Sequence, residues 1–308
     1  MRRKIPATHT LLCFEAAARH ESYTRAAQEL ALTQSAVSRQ VAALEDFLGQ
    51  ALFRRTRHGV ALTPCGVEYA RQVADRLLAL EHDTLDAMSA QGRQGAVHLA
   101  AMPTFATRWL IPRLPGFQAR HPDILVHIET RTRPFLFTDT PFDAALYTGT
   151  AEQVANWAGT LSVHLMDEKM LPVCSPAMLR RQRKFTPQGL AQAPLLQQST
   201  RPLAWRQWFA AAGVAAPYAM AGPRYELFSM TVAAAARGMG VALVPQLLVE
   251  AELASGELVP ACLPMPHCDS AYYLVTPQRS DNKAALALFS AWLLEMARAS
   301  ATGEQIIR

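Results

Sequence analysis

The organisation of this chain is decided by a short stretch near its amino end, which turns from polar to apolar. Residues 33–49 read TQSAVSRQVAALEDFLG. Thr33 is a favoured N-cap and Gly49 a favoured C-cap, so the stretch predicts a helix from residue 34 to about residue 48. Apolar residues at helical spacing form one stripe of that helix: Val37, Val41, Leu44 and Leu48. The polar residues at its amino end therefore face away from the core.

Two more helices precede this one. Residues 8–20 have apolar side chains at helical spacing, and a second helix follows with Thr24 as its expected N-cap. With a tight turn at residues 31–33, the arrangement predicts a helix-turn-helix, whose third helix enters the major groove of DNA. The amino end of the third helix carries no acid, and arginine, glutamine and serine suit base edges and phosphates. Its candidate DNA-binding residues are Thr33, Gln34, Ser35, Ser38 and Arg39.

A basic hairpin follows the third helix. Residues 52–55 and 60–63 predict two short strands, joined by a turn at residues 56–59. A hairpin in this place is a wing, and its arginines Arg54 and Arg55 are suited to the minor groove or to phosphates. An ordinary solvated side chain is the alternative for each arginine taken singly.

One long helix is predicted from residue 64 to about residue 88, with Thr63 as N-cap and Pro64 at the first position. A helix of ~25 residues is ~38 Å long. Apolar residues form two stripes along it: Ala70, Val73, Leu77 and Leu80, and beside them Val67, Ala74, Leu78, Leu85 and Met88. A small head cannot cover both, so we expect pairing with the same helix of a second copy. Packing onto its own chain is the alternative. Residues 91–95 predict a flexible hinge.

Charge is divided unevenly along the 308 residues, whose formal net charge is +5. Residues 1–63 hold nine basic and five acidic residues, residues 64–92 hold two and five, and residues 93–308 hold nineteen and fifteen. A cationic head on a nearly balanced body is typical of a protein that binds a polyanion. A basic surface without a partner is the alternative reading of charge alone.

Composition excludes several classes of protein. Half of the residues are apolar and 5 are cysteines, which argues against a disordered chain and against a disulfide scaffold. No uncharged stretch reaches the ~18 residues of a membrane helix. The basic amino end is not followed by the apolar segment of a signal peptide. We therefore expect a cytoplasmic protein with reduced thiols and no membrane partner.

The body, residues 93–308, alternates predicted strands and helices, which favours an α/β domain with a parallel sheet. The expected strands are 96–101, 124–129, 143–147 and 241–244, and the expected helices are 104–120, 205–212 and 227–237. Residues 162–174 and 271–275 are candidate crossings between two lobes. The expected domains are thus a head (1–63), a linker helix (64–92) and a body (93–308). One lobe of the body would hold residues 93–162 and 270–308, and the other residues 163–269.

Motifs of enzymes and metal sites are absent from the sequence. It has no GxSxG, HExxH, Walker or CxxC motif, and its nine histidines show no metal spacing. We expect no catalytic residue, metal or cofactor. Free thiols are expected at Cys262 and Cys268, with a disulfide or redox switch as the alternative. An enzyme with a DNA-tethering head and a purely architectural DNA-binding protein are the alternative functions.

A small-molecule site is expected in the body instead. Ligands of open α/β sheets bind at the carboxyl ends of strands, where helix amino termini point. Thr104 is expected to cap the helix that follows the first strand, and Thr148 and Gly149 to follow the strand that ends at Tyr147. The full set is Thr104, Thr148, Gly149, Ser199, Thr200 and Ser229. Hydroxyls and backbone N–H groups suit a carboxylate or other small anion, and ordinary N-caps are the alternative.

Ordered motifs along almost the whole chain resemble LysR-type transcriptional regulators. They lie at residues 14–18, 23–27, 32–41, 52–55 and 62–66 in the head, and at 105–114, 205–208 and 238–245 in the body. The body motifs most resemble the subgroup of glycine-cleavage activators and beta-lactamase regulators. Tyr147 stands where that subgroup often carries a basic residue, so we do not transfer the subgroup's ligands.

The resemblance implies a fold and a function. The fold is an α+β winged helix-turn-helix head, a long linker helix and an α/β two-lobed effector domain similar to periplasmic binding proteins. The function is that of a sequence-specific regulator, which binds double-stranded operator DNA and a small-molecule effector between the lobes. A homodimer or homotetramer is implied, with RNA polymerase as a further partner if the protein is an activator.

Overall fold

The computed structural model describes residues 4–57, 59–89, 95–179, 185–263, 269–278 and 284–302. The chain divides into two compact units, Met1–Gln91 and Gly92–Arg308, and each has a hydrophobic core of its own. Most of the hinge predicted at residues 91–95 lies outside the described residues, as does Cys268; Cys262 is buried. The choice between thiols and a disulfide therefore stays open.

The first unit begins with three helices in the predicted order: α1 (Thr8–His20), α2 (Tyr23–Glu29) and α3 (Gln34–Leu48). Thr33 caps α3, since its Oγ1 accepts a hydrogen bond from the backbone N–H of Ala36, and Gly49 ends α3 with φ +66°. The predicted cap of α2 is wrong. Ser22 has the extended backbone of an N-cap and accepts from the N–H of Arg25, whereas Thr24 lies inside the helix.

The predicted hairpin forms from β1 (Phe53–Thr56) and β2 (Gly59–Leu62), paired antiparallel with Phe53 opposite Leu62. Phe53 packs edge-on against Phe14 of α1, with ring centroids 5.7 Å apart. Apolar residues of α1, α2, α3 and β1 form one core of this unit. The hairpin is therefore anchored to the three helices by its first residue.

The long helix α4 (Pro64–Ser89) has 26 residues and begins where predicted. The Oγ1 of Thr63 accepts a hydrogen bond from the N–H of Gly66 at 3.0 Å. Val73 is buried against the core of the head, so packing onto the same chain covers part of the first predicted stripe. Apolar side chains that are at least half exposed follow along the helix: Val67, Leu78, Leu80, Leu85 and Met88.

The second unit holds two five-stranded sheets, each the centre of one lobe. The first has the order β4-β3-β5-β12-β6, and the second β11-β7-β10-β8-β9. The strands of the first sheet are β3 (Gly95–Ala101), β4 (Ile124–Thr130), β5 (Ala144–Thr150), β6 (Thr160–Asp167) and β12 (Ser270–Pro277). Those of the second are β7 (Met170–Cys174), β8 (Leu195–Gln198), β9 (Arg224–Tyr225), β10 (Val241–Pro245) and β11 (Val259–Pro260).

Neither sheet is purely parallel, in contrast to the prediction. β3 pairs parallel with β4 and β5, but β12 runs antiparallel to β5 and β6. In the second sheet β10 is parallel to β8 and antiparallel to β7. The antiparallel strands are those that follow a crossing between the lobes: β7 is antiparallel to β10 and β11, and β12 is antiparallel to β5 and β6.

The predicted lobe boundary after residue 162 is also wrong. All of β6 pairs with β12 in the first sheet, so the first crossing falls between Asp167 and Met170. The second crossing lies between β11 and β12. The lobe built on the first sheet is called the first lobe below, and the other the second lobe.

Helices and single turns connect these strands. The first lobe contains α5 (Pro103–Phe105), α6 (Leu114–Arg120), α7 (Ala151–Ala155) and α12 (Ala284–Thr302), and the second α8 (Pro187–Leu190), α9 (Ala204–Ala211), α10 (Phe228–Ala236) and α11 (Glu250–Ser255). Single 3-10 turns lie at Phe137–Asp139, Pro176–Leu179 and Gln246–Leu248. Within the described ranges no helix is both long and apolar enough to span a membrane.

The helix predicted for residues 104–120 is interrupted. After α5 come a π-helical turn (Ala106–Leu110) and a 3-10 turn (Ile111–Arg113), before α6 resumes. Pro112 lacks the N–H that an α-helix would bond four residues back, which explains the change of hydrogen-bond pattern. Thr104 is inside α5 and does not cap it; the N-cap is Met102, without a side-chain bond.

Candidate functional site

The amino end of α3 presents the predicted DNA-binding residues on one surface. Gln34, Ser35 and Arg39 are exposed and Ser38 is half-buried. Thr33 is exposed as well, but its hydroxyl oxygen is engaged by the N–H of Ala36, and it lies 3.1 Å from the Ser35 hydroxyl. The Nε of Arg39 donates to the carbonyl of Ser35 at 3.3 Å. This contact uses one nitrogen of the guanidinium and orients the side chain along the helix surface.

α3 is held in place by contacts that sequence reasoning missed. Thr10 of α1 donates a hydrogen bond to the side-chain oxygen of Gln40 at 2.6 Å. The Oε1 of Glu45 accepts from the backbone N–H groups of Leu52 and Phe53 at 2.7 and 3.0 Å. Glu45 thereby ties the end of α3 to the start of the wing. No local pattern signals this role, because a carboxylate that binds strand amides depends on how the hairpin folds back.

The wing arginines Arg54 and Arg55 are both exposed, but consecutive residues of a strand point to opposite faces. Arg55 lies on the face of Phe53, close enough to Tyr23 to affect its titration. Burial, followed by the charge of Glu45, raises the pKa of Tyr23 to about 12, against the opposing effect of Arg55. The two arginines therefore do not face a common surface.

An exposed cluster of charges joins α1 to α2. Arg19 contacts both Glu15 and Glu29, at 3.0 and 2.5 Å, and the Nε2 of His20 lies 2.6 Å from Glu29. Hydrogen bonds from Arg19 and then His20 lower the pKa of Glu29 to about 2. Arg19 is thus engaged by carboxylates, whereas Arg39, Arg54 and Arg55 form no ion pair with the residues that the structure describes.

The second unit contains two adjoining cavities between its lobes. The larger, of about 460 Å³, is lined by both lobes and includes Trp208 and Leu243. The smaller, of about 20 Å³, has room for about one water molecule and includes Thr104 and Tyr272. A common wall joins the two cavities: Met102, Thr132, Thr148, Thr200 and Arg201. Together they form a cleft lined by both polar and apolar side chains, of a size suited to a small ligand.

Four of the six predicted effector-binding residues line this cleft. Thr104 borders the smaller cavity, Gly149 the larger, and Thr148 and Thr200 both. Thr148 and Gly149 lie within β5 rather than after it, because β5 extends to Thr150. A Cβ on Gly149 would lie 2.8 Å from the Oε1 of Gln153, so a larger residue there would displace the Gln153 side chain.

The other two predicted residues have different places. Ser199 is exposed and lines neither cavity; its backbone N–H donates to the carbonyl of Tyr225 in the neighbouring strand. Ser229 is not part of either lining, but its N–H donates to the Oγ1 of Thr104 at 3.3 Å. This bond joins the lobes, since Thr104 belongs to the first and Ser229 to the second. The lobes are also joined by an ion pair between Arg108 and Glu252 at 2.6 Å.

Sequence reasoning missed several lining residues. Gln198 is buried; its Nε2 donates to Thr200 at 3.1 Å and its Oε1 accepts from Thr231 at 3.1 Å. Tyr272 stacks on Phe105 with ring centroids 4.5 Å apart. A buried glutamine flanked by hydroxyl residues is a weak sequence signal for a polar site, whereas the place of Tyr272 depends on the late strand β12.

Arg201 is the most consequential of the missed residues. Its Nη1 lies 2.6 Å from the Oε2 of Glu168, whose side chain is 0% exposed. Its Cζ lies 5.2 Å from the centre of the Phe228 ring. Burial raises the pKa of Tyr147 in the same cleft, and the positive charge of Arg201 opposes this rise. A cation therefore lies in the wall where hydroxyls and backbone N–H groups were predicted.

No metal site was found in the parts of the chain that the structure describes, where no three His, Cys, Asp or Glu side chains form a suitable group. The thiol of Cys174 is buried, and burial raises its pKa to about 11. A thiol with so high a pKa is a poor nucleophile at neutral pH. The groups that line the cleft include hydroxyls, the amide of Gln198 and the guanidinium of Arg201.

Comparison with known proteins matches both units to described families. Residues 8–67 match the bacterial regulatory helix-turn-helix protein, lysR family, and residues 90–298 match the LysR substrate binding domain. The glycine cleavage system transcriptional activator of Escherichia coli K12 is 34% identical over 300 residues, which cover 97% of this chain and 96% of that protein.

Solved structures resemble the second unit. The effector domain of the regulator AmpR of Pseudomonas aeruginosa has a TM-score of 0.60 at 30% identity and covers 68% of this chain and 98% of that one. The effector binding domain of Citrobacter freundii AmpR has also been solved with a threonine, a serine and a tyrosine substituted. That structure has a TM-score of 0.59 at 25% identity and covers 66% of this chain and 100% of that one.

Proposed function

The chain belongs to the LysR family of transcriptional regulators, and on that basis we propose that it is a sequence-specific regulator controlled by a small molecule in the cleft between its lobes. The observation that carries this proposal is the cleft itself. Both lobes line it, and three threonine hydroxyls lie in the wall that its two cavities share. A ligand held there would contact both lobes and change the free energy of their closure.

Contacts around the smaller cavity support this proposal. Thr104 and Tyr272 line it, and the N–H of Ser229 donates to Thr104. A threonine, a serine and a tyrosine are also the residue types substituted in the Citrobacter freundii effector binding domain. The same three residue types therefore meet here at the point where the lobes are hydrogen-bonded, which is where a ligand would act on closure.

DNA recognition is assigned to α3. The exposed residues at its amino end, with Thr33 as cap, are the proposed contacts to operator DNA. Arg54 and Arg55 of the wing are the proposed contacts to the DNA backbone or minor groove. Arg39 is the proposed base-reading residue, because a guanidinium can bind guanine O6 and N7 together. The alternative of a DNA-tethered enzyme is set aside, because the named relatives are transcriptional regulators.

Assembly through α4 is part of the same proposal. The exposed apolar residues Leu78, Leu80, Leu85 and Met88 continue beyond the part of α4 that packs on its own head. A second copy of α4 would cover them in a homodimer, and pairs of dimers in a homotetramer. A cytoplasmic location, and contact with RNA polymerase if the protein activates, complete the proposal.

Arg39→Ala tests the DNA-binding part. An operator is selected from a random DNA library with the wild-type protein, and binding to it and to a scrambled duplex is measured at one salt concentration. Loss of a bidentate base contact of ~1–3 kcal/mol weakens operator binding by about 5- to 150-fold. Loss of one charge weakens binding to scrambled DNA much less. Equal losses on both duplexes would contradict a base-reading role for Arg39.

A further inference from the structure

The two cavities of the cleft have one charged residue in common, Arg201. Its side chain is 20% exposed. The other charged residues that line a cavity in the described part of the chain are Glu226 and Asp269, and both are exposed. Water screens charges on an exposed rim far more than a charge within the wall. The guanidinium of Arg201 is therefore less screened by water than the other two charges that line these cavities.

Contacts from different elements hold this guanidinium, and the following are among them. Its Nη1 lies 2.6 Å from Glu168 and 3.8 Å from the Sδ of Met170, and its Cζ lies over the ring of Phe228. A surface arginine loses much conformational freedom when it binds a ligand. Arg201 has lost that freedom already on folding, so it is preorganised for binding. A guanidinium carries five N–H donors in a planar fork, which allows it to bind Glu168 and a second carboxylate together.

Glu168 has the position of a supporting group rather than of a ligand contact. It lines neither cavity and its side chain is 0% exposed. It lies on the first crossing between the lobes, and its backbone N–H donates to the carbonyl of Ser270 at the second. A carboxylate buried this deeply is tolerated only with a charged partner. Glu168 thus orients Arg201 and offsets part of its charge.

Hydroxyl groups complete the surroundings of Arg201. The Oγ1 of Thr200 accepts a hydrogen bond from Gln198 at 3.1 Å, which leaves the hydroxyl proton to be donated into the cleft. Thr148, in both cavities, contributes a second hydroxyl. One half-buried cation with two hydroxyls suits a group of one negative charge and two oxygens.

We propose that Arg201 binds a carboxylate of the ligand, and that Glu168 is a positioning residue that tunes the charge of Arg201. The inference rests on the proposed effector-binding role of the cleft and names the chemistry of its ligand. The two residues have effects of opposite sign. Neutralising Arg201 removes carboxylate binding, whereas neutralising Glu168 increases the positive potential of the cleft and strengthens carboxylate binding.

The test compares carboxylates with their uncharged primary amides on the full chain. Acetate, benzoate and succinate are titrated beside acetamide, benzamide and succinamide, and Kd values are measured for each protein by calorimetry or ligand-dependent Tm. We expect the wild type to prefer at least one carboxylate over its amide about tenfold or more, as a charge-assisted hydrogen bond would produce. Arg201→Gln removes this preference, and Glu168→Gln increases it severalfold. Arg206→Gln, an exposed arginine of α9 outside both cavities, keeps the wild-type preference.

The double variant Glu168→Gln/Arg201→Gln is the control for folding, because it leaves no unpaired buried charge. We expect it to fold and to lack the preference for carboxylates over amides. A wild type without any carboxylate preference, or an Arg201→Gln protein that retains it, overturns the inference. If amides and carboxylates bind equally well, the carboxylate assignment is wrong while ligand binding in the cleft stands. If no probe binds and cleft substitutions leave a reporter response unchanged, the proposed effector control fails as well.

Discussion

The contacts of Glu45 lead to a prediction about DNA binding, and its direction is opposite to the one expected from charge alone. Its Oε1 accepts hydrogen bonds from the N–H groups of Leu52 and Phe53 at 2.7 and 3.0 Å, and its side chain is half-buried. Removal of a negative charge from a basic head should strengthen DNA binding if charge decides the outcome. We expect Glu45→Ala to weaken it, because the wing that carries Arg54 and Arg55 loses its attachment to α3.

The magnitude follows from the two hydrogen bonds. A bond to a charged acceptor contributes about 1.5–3 kcal/mol, and water reaches the half-buried amides after the substitution, so the lower value applies to each. Glu45→Ala should then cost about 3 kcal/mol of local stability. At ~1.4 kcal/mol per tenfold, exchange of the two amide protons becomes about 100-fold faster. Glu45→Gln keeps an oxygen acceptor and should cost about 1 kcal/mol.

Amide hydrogen exchange at residues 52 and 53, together with operator binding, measures both effects. Asp46→Ala is the matched control, because it removes the same charge from the next residue, which is exposed and has no side-chain bond to the described residues. Its exchange should remain that of the wild type and its DNA binding should be unchanged or slightly tighter. Wild-type exchange in Glu45→Ala, or tighter DNA binding by that variant, would refute the reasoning.

Two further predictions concern the cleft and the head. Thr104→Val leaves the N–H of Ser229 without its acceptor, at a cost of about 1 kcal/mol. We expect this variant to lose the effector response in a reporter assay and to keep operator binding. An unchanged response would show that Thr104 is not part of the effector site. The pKa of Glu29 is lowered to about 2 by Arg19 and His20, from an ordinary value of 4.5. Its stabilising contribution is therefore fully present above pH 4.5 and is lost as the pH falls towards 2. Denaturation of the wild type and of Glu29→Gln between pH 5 and pH 2 should show a smaller loss of stability in the variant, and parallel curves would contradict this role.

Local interactions explain why the head was predictable from the sequence. The limits of α3 depend on Thr33 and Gly49, each of which acts within three or four residues of its own position. The buried face of α3 follows from its helical period, and the start of α4 follows from the pair of Thr63 and Pro64. The cap of α2 was misplaced, because Ser22 and Thr24 are both good caps and their backbone angles were unknown. The two wing strands lie one residue away from their predicted bounds.

The lining of the cleft between the lobes was only partly predictable from the sequence. Thr104, Thr148 and Thr200 were found because strand ends and hydroxyl residues are local patterns. The interrupted helix after β3, the mixed sheets and the first lobe crossing were missed, since they depend on which distant strands pair.

Tertiary structure alone brought the charged and bonded partners of the cleft together. Arg201 meets Glu168 across 33 positions of the chain, and Ser229 meets Thr104 across 125. Such hydrogen bonds and charge pairs depend on burial and on contacts between the lobes. Long-range contacts of this kind produce no periodic pattern and no motif in the sequence. The helix-turn-helix and its family therefore followed from the amino-acid order. The place of Arg201 in the cleft wall did not, because it depends on the crossings between the lobes that bring Glu168 beside it.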